Sequence, residues 1–264
     1  MTLRVTILGC GSSGGVPRVA QGWGVCDPNN PRNRRRRCSI LVEQIGPEGT
    51  TRVLVDTSPD LREQLIDAGV KHLDGILMTH SHADHTNGID DVRPLVIHMK
   101  RRLDIHMDDY TSGIVRRAFG YIFETPEGSN YPPLLIEHRL HPGKACEIAG
   151  AGGALSAMPM RLDHGEIDAL GFRFQNFAYT PDVKQIYSES EEHLRGLDLW
   201  IIDALRHTTH PTHFSIPDAL EMIRHFKPKR AILTNLSSEV DYAQLAAEVP
   251  DNVTVAYDML SVEF

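Results

Sequence analysis

Cysteines are few in this chain and show no pairing pattern. Cys10, Cys26, Cys38 and Cys146 are the only four in 264 residues, and no two form a C-x-x-C. That spacing does not describe a disulfide framework; it suits reduced thiols and a cytoplasmic setting. Long hydrophobic runs are missing too, so no segment reads as a membrane span. The opening Thr2–Leu8 alternates like a strand and lacks the form of a signal peptide. Positive charge is in deficit: the formal net charge is -8, which argues against non-specific binding of long nucleic acid. There is no low-complexity linker and no repeat at solenoid periods. With 41% hydrophobic and 23% charged residues, the composition is that of a globular enzyme in one domain, 1–264.

What the chain does have is histidine in a telling place. Thr79-His80-Ser81-His82-Ala83-Asp84-His85 follows the apolar run Gly75-Ile76-Leu77-Met78, so the cluster sits where a buried strand runs out into a loop. Imidazole and carboxylate together suit zinc, manganese or iron. His80 and His82 can converge on one ion from one backbone turn, while Asp84 and His85 reach a second. Strand-like runs alternate with helix-like segments along the rest of the chain. Pro59–Ala68, Ile216–Phe226 and Tyr242–Glu248 are the predicted helices, and Pro217 is fit for a first turn. Periodicity alone gives a mixed α and β domain.

The glycine loop Gly9-Cys10-Gly11-Ser12-Ser13-Gly14-Gly15 contains G-x-G-x-x-G after a strand, which invites a dinucleotide reading. Its context opposes that reading. Val16-Pro17, Gly22 and Gly24 follow, so no helix starts where a pyrophosphate would need one. A loop lining a metal cleft fits better. The dense basic cluster, Arg32 and Arg34–Arg37, offers guanidinium forks that match phosphate oxygens. Alternation toward the next strand points at most half of them one way, and Arg36 is the candidate.

The order H-x-H-x-D-H resembles the signature of the metallo-β-lactamase superfamily. The opening Gly-Cys-Gly-Ser-Ser-Gly-Gly-Val-Pro-Arg is similar to that of PhnP-type phosphodiesterases, in the branch related to tRNase Z and PqqB. The resemblance implies a four-layered αββα sandwich, an α/β (α+β) fold, and further ligands at later strand ends. His164 in Leu-Asp-His-Gly and Asp182 in Tyr-Thr-Pro-Asp stand where that family has them. One ion would then be held by His80, His82 and His164, and a second by Asp84 and His85, with Asp182 bridging. His213 matches a family histidine that approaches the phosphate and protonates the leaving oxygen, a task suited to a pKa near neutrality. His213 and Asp84 are therefore the catalytic candidates, and His210, Arg36 and Ser12 the substrate-binding ones. Asp56, at a strand end in Leu-Val-Asp-Thr, is a candidate to orient a metal-bound imidazole.

Two departures from the family pattern stand out. The loop Gly22–Pro28 keeps one cysteine where PhnP-type enzymes have a cysteine-rich loop, so no structural zinc is expected. Asn235 occupies the place of the last histidine ligand, in Leu-Thr-Asn, so the second ion is expected to be held more weakly. The resulting expectation is a hydrolase with two divalent ions, Zn2+ or Mn2+, acting on a small cyclic or nucleotide-like phosphodiester; a homodimer is left open. Three alternatives stand beside it: an ester, thioester or lactam hydrolase on the same scaffold, a PqqB-like role in cofactor biosynthesis, and a metal- or nucleotide-sensing protein without turnover.

Overall fold

The computed structural model describes residues 2–264. Two sheets face each other. The first runs in the order Ser261–Glu263, Thr2–Gly9, Ser39–Gly46, Gly49–Val55, Gly75–Leu77, Leu103–Met107 and Leu135–Arg139. The second runs Gln185–Ile186, Leu155–Asp163, Asp168–Phe174, Phe177–Thr180, Leu199–Asp203, Arg230–Thr234 and Val253–Val255, with Cys146–Ile148 pairing beside Leu155–Asp163. The inner faces supply one core, in which Val5, Ile40 and Val53 meet Phe172, Phe174 and Phe177. The outer face of the first sheet is covered by the helices Leu61–Asp67, Arg93–Met99 and Asp109–Phe119, through Leu61, Leu95 and Val115. The outer face of the second is covered by Ile216–Phe226 and Tyr242–Glu248, through Ala219, Ile223 and Leu245. The expected four layers are thus present, each amphipathic helix burying its apolar stripe on a sheet. Among the described residues, no helix is long and apolar enough to cross a membrane.

Helix Ile216–Phe226 shows how local sequence sets an element. The Ser215 hydroxyl accepts from the Asp218 N–H, and the Asp218 carboxylate accepts from the Ser215 N–H, closing a capping box with Pro217 in the first turn. Lys227, left-handed at φ 54°, ends it. This box fixes the loop just upstream, which carries His210 and His213.

Sequence periodicity missed one hairpin-free stretch. Strand Leu103–Met107 and helix Asp109–Phe119 lie where no element was expected. Leu103–Met107 alternates apolar and polar side chains over only five residues, and the helix is rich in polar and charged side chains, so neither stands out from a loop.

The topology gathers strand ends. Gly49–Val55 and Gly75–Leu77 are parallel, as are Phe177–Thr180, Leu199–Asp203 and Arg230–Thr234. The residues at or just beyond the ends of these strands, Asp56, His80, Asp182, Asp203 and Asn235, therefore emerge together on one rim. Loops there can carry chemistry because rigid strands position them.

Candidate metal centre

Three imidazoles from two loops converge first. His80 Nε2 lies 3.0 Å from His82 Nδ1, and His164 Nε2 lies 3.3 Å from the same atom. Three nitrogens bound to one zinc at about 2.0–2.1 Å would stand roughly 3.3–3.4 Å apart, so this spacing fits a shared ion. The outward nitrogens of His164 and His80 are committed elsewhere. His164 Nδ1 faces the Thr212 carbonyl at 2.8 Å, which fixes a donor there and leaves Nε2 free to ligate. His80 Nδ1 meets the Thr79 hydroxyl at 2.9 Å. Burial holds the His80 pKa well below its ordinary value, and neighbouring imidazoles add to this, so the ring is a neutral donor.

A second group sits beside the first. The single helical turn Ala83–Thr86 presents Asp84 and His85. His85 Nε2 is 3.4 Å from Asp84 Oδ2 and 3.2 Å from Asp182 Oδ2. Burial disfavours charge on His85, but Asp182, Asp56 and Asp84 outweigh it and raise its pKa well above the usual value. Three carboxylates converging on one buried imidazole mean that this pocket demands positive charge. His85 Nε2 and Asp182 Oδ2 are moreover buried without a hydrogen-bond partner. A divalent cation between them would satisfy both, so the residues present fit a metal pair. Asp182 belongs to both groups: its other oxygen is 3.9 Å from His164 Nε2. A carboxylate so placed can bridge two ions.

Asp56 supports the second group. Its Oδ2 lies 2.7 Å from His85 Nδ1, while Thr79 donates to Asp56 through its backbone N–H and its hydroxyl, each at 2.8 Å. The carboxylate thus fixes the His85 tautomer with Nε2 toward the carboxylates. Asp56 is left-handed at φ 65°, which turns the chain off the strand and into the site.

His213 stands across from this rim, paired with an acid that the sequence marked only as a strand end. Asp203 is fully buried, and its Oδ2 lies 2.8 Å from His213 Nδ1. Val183 donates its N–H to the same oxygen at 3.1 Å. Burial raises the Asp203 pKa to about 6. On His213 burial works downward, but the Asp203 carboxylate outweighs it and raises the pKa to about 9. His213 also approaches Asp182 at 3.6 Å. His210 lies nearby with its ring tilted, its centre 5.0 Å from that of His213, and its Nδ1 faces the Thr212 N–H at 3.3 Å.

Other expectations need correction or placement. Asn235 does not turn its oxygen to the metals. Its amide nitrogen donates to Pro181 O, Asp203 Oδ1 and Asp182 Oδ1 at 3.0, 3.1 and 3.3 Å. The amide oxygen faces the Cys38 thiol instead. Three acceptors surround the NH2 group, and that decides the orientation. Arg36 is not brought to the cluster: its guanidinium pairs with Asp67 at 2.5 Å. Ser12 is buried in the glycine loop with its hydroxyl unpartnered, and its backbone N–H reaches Leu236. The loop approaches the rest of the molecule closely: a Cβ on Gly11 would crowd Arg35 and the Arg36 carbonyl. Cys26 belongs to no group of three metal-ligating side chains among the described residues.

A family model described as "Beta-lactamase superfamily domain" matches residues 51–234. A crystal structure described as a new diphosphatase from the PhnP family is 35% identical, with a TM-score of 0.89, over 100% of this chain and 98% of that one. The chain belongs to the beta-lactamase superfamily, in its PhnP family. The four-layered architecture is that of the metallo-β-lactamase fold. Among curated proteins, an octanoyltransferase of Porphyromonas gingivalis (strain ATCC BAA-308 / W83) is 32% identical over 262 residues, covering 98% of this chain and 51% of that protein. A ribonuclease Z of Bradyrhizobium diazoefficiens is 31% identical over 153 residues, covering 55% of this chain and 46% of that protein. The chain spans about half the length of these curated relatives. The chain carries imidazole and carboxylate groups suited to metal ions.

Proposed function

We propose that this protein is a dinuclear metal-dependent hydrolase that cleaves a phosphodiester linkage in a small molecule. The observation that carries the reading is the Asp203–His213 pair standing beside Asp182, whose two oxygens face His85 and His164. His80, His82 and His164 would hold one ion; Asp84 and His85 would hold the other, with Asp182 between them. Two bound divalent ions supply Lewis-acid stabilisation of a phosphoryl group and a water of lowered pKa. The neighbours described as a diphosphatase and a ribonuclease Z support phosphorus–oxygen bond cleavage for this chain.

The chain's own groups then divide the remaining work. Asp203 holds His213 Nδ1, so only Nε2 is left to act on substrate. A proton on Nε2 can pass to the leaving oxygen, a contribution of typically about 10²–10⁴-fold in rate. Asp203, buried and braced by the Val183 N–H, keeps the ring oriented. Asn235 spans Asp203 and Asp182 through one amide nitrogen, and so ties the proton donor to the bridging ligand.

The test is the leaving-group dependence of His213→Ala. With bound metal unchanged, a poor alkoxide leaving group should suffer a large loss and nitrophenolate little. Equal losses, or lost metal, would remove His213 from this role.

A further inference from the structure

We infer that Arg18 and Arg37 form a subsite for a second, non-reacting phosphoryl group of the substrate. This rests on the phosphodiester reading above and names its substrate class. A cavity of about 490 Å³ opens beside the metal centre, lined by Ser13, Gly14, Arg18, Arg37, Ala83 and Asp84. Its size is that of a small-ligand site. Asp84 belongs to the second group of ligands, so a phosphoryl group held there has this cavity as its next space.

The charge of the cavity is set by two arginines, and they are not equivalent. Arg37 already pairs with Asp60 at 3.0 Å. Arg18 has no carboxylate within ion-pairing distance among the described residues, and its guanidinium forms no hydrogen bond there; only its backbone is engaged, exchanging bonds with Gly22 at 2.8 Å. In a chain of net charge -8, an uncompensated, half-buried guanidinium is unusual. It lies directly on the Gly14 backbone, where a Cβ would overlap Arg18 Nε. Gly14 therefore has a purpose in this loop beyond flexibility: it makes room for the guanidinium at the cavity wall. Arg36, the sequence candidate, is spent on Asp67, and Arg32 stacks between Tyr242 and Tyr257 at 4.9 and 4.6 Å. The planar fork of Arg18 is thus the free phosphate-matching group next to the ligands.

The test uses the metal-loaded full chain and two probes, inorganic pyrophosphate and orthophosphate, with binding read by calorimetry. Arg18→Gln should weaken pyrophosphate at least about tenfold more than it weakens orthophosphate, because only pyrophosphate reaches the arginine. Gly14→Ala, which displaces the guanidinium without removing it, should reproduce the selective loss and guards against a folding artefact. Equal weakening of both anions, or no weakening of either, overturns the subsite. The readout does not need turnover, so it can fail or succeed independently of the phosphodiesterase reading. That reading fails instead if the metal-loaded protein hydrolyses no phosphodiester.

Discussion

Arg35 and Cys26 meet at one carbonyl. Arg35 Nη1 donates to Val240 O at 2.8 Å, the Cys26 thiol reaches the same oxygen at 3.1 Å, and the two side chains lie 3.9 Å apart. The same guanidinium also donates to Ser237 O and Asn33 Oδ1. Asn33 in turn donates to the Asp27 carbonyl and Asp241. In PhnP-type enzymes the corresponding loop is implied to hold a zinc; here a buried guanidinium ties it down.

Arg35→Met should therefore remove three buried hydrogen bonds, to Val240 O, Ser237 O and Asn33 Oδ1, leaving each acceptor with one other donor. At about 0.5–1.5 kcal/mol net for each lost bond, the loss should be roughly 3 kcal/mol. Arg35→Lys should not restore it, since one ammonium cannot reproduce the planar fork. Urea unfolding checks this; a loss below about 1 kcal/mol for the Met variant would mean that the loop is held by something else.

Asp56→Asn should weaken the second ion by about 10–100-fold while sparing the first, because the amide no longer fixes His85 with its Nε2 inward. Calorimetric titration of the metal-free variant separates the sites. Unchanged affinity, or equal loss at both sites, would contradict the orienting role.

The amide nitrogen of Asn235 donates to Pro181 O, Asp182 and Asp203. Asn235→Ala should then destabilise the protein even in chelator, by about 1–3 kcal/mol, because Asp182, Asp203 and the Pro181 carbonyl lose their shared donor. Unchanged stability in chelator combined with loss of an ion would restore Asn235 as a ligand.

His106 makes stability depend on pH away from the metal centre. It is buried, stacks on its cross-strand neighbour His138 at 4.8 Å, and has its pKa lowered to about 4 by burial and then by His138. The unfolded chain protonates this group near its ordinary value of about 6.5. Between those values only the unfolded state carries the proton, so stability falls as pH drops from about 6.5 to about 4. After discounting for solvent screening, the fall is roughly 2 kcal/mol. His106→Leu should flatten this part of the profile; an unchanged slope in urea midpoints between pH 7 and pH 4.5 would assign the acid sensitivity elsewhere.

How far the sequence could be read follows from where information is local. His80, His82, Asp84 and His85 lie within six residues, so their shared purpose shows in one dimension. Asp56, His164 and Asp182 lie at strand ends, the last two where the family pattern has ligands, and His213 shows only through its match to a family histidine. Asp203 was visible only as an acid ending a strand; its pairing with His213 spans ten residues and depends on how the loop folds back. Arg18 against Arg36 could not be decided from spacing. All the arginines look alike in sequence, and only the positions of Asp60, Asp67 and the tyrosines show which are already engaged. The orientation of Asn235 is likewise set by acceptors brought from two other strands.

The central claim, that two ions in this rim cleave a phosphodiester, is tested most directly by titrating metal-free protein with Mn2+ or Zn2+ while following hydrolysis of bis(4-nitrophenyl) phosphate. The rate should continue to climb until two equivalents are bound per chain, and His82→Ala should show no such climb. Hydrolysis that saturates at one equivalent, or none at any loading, would contradict the account.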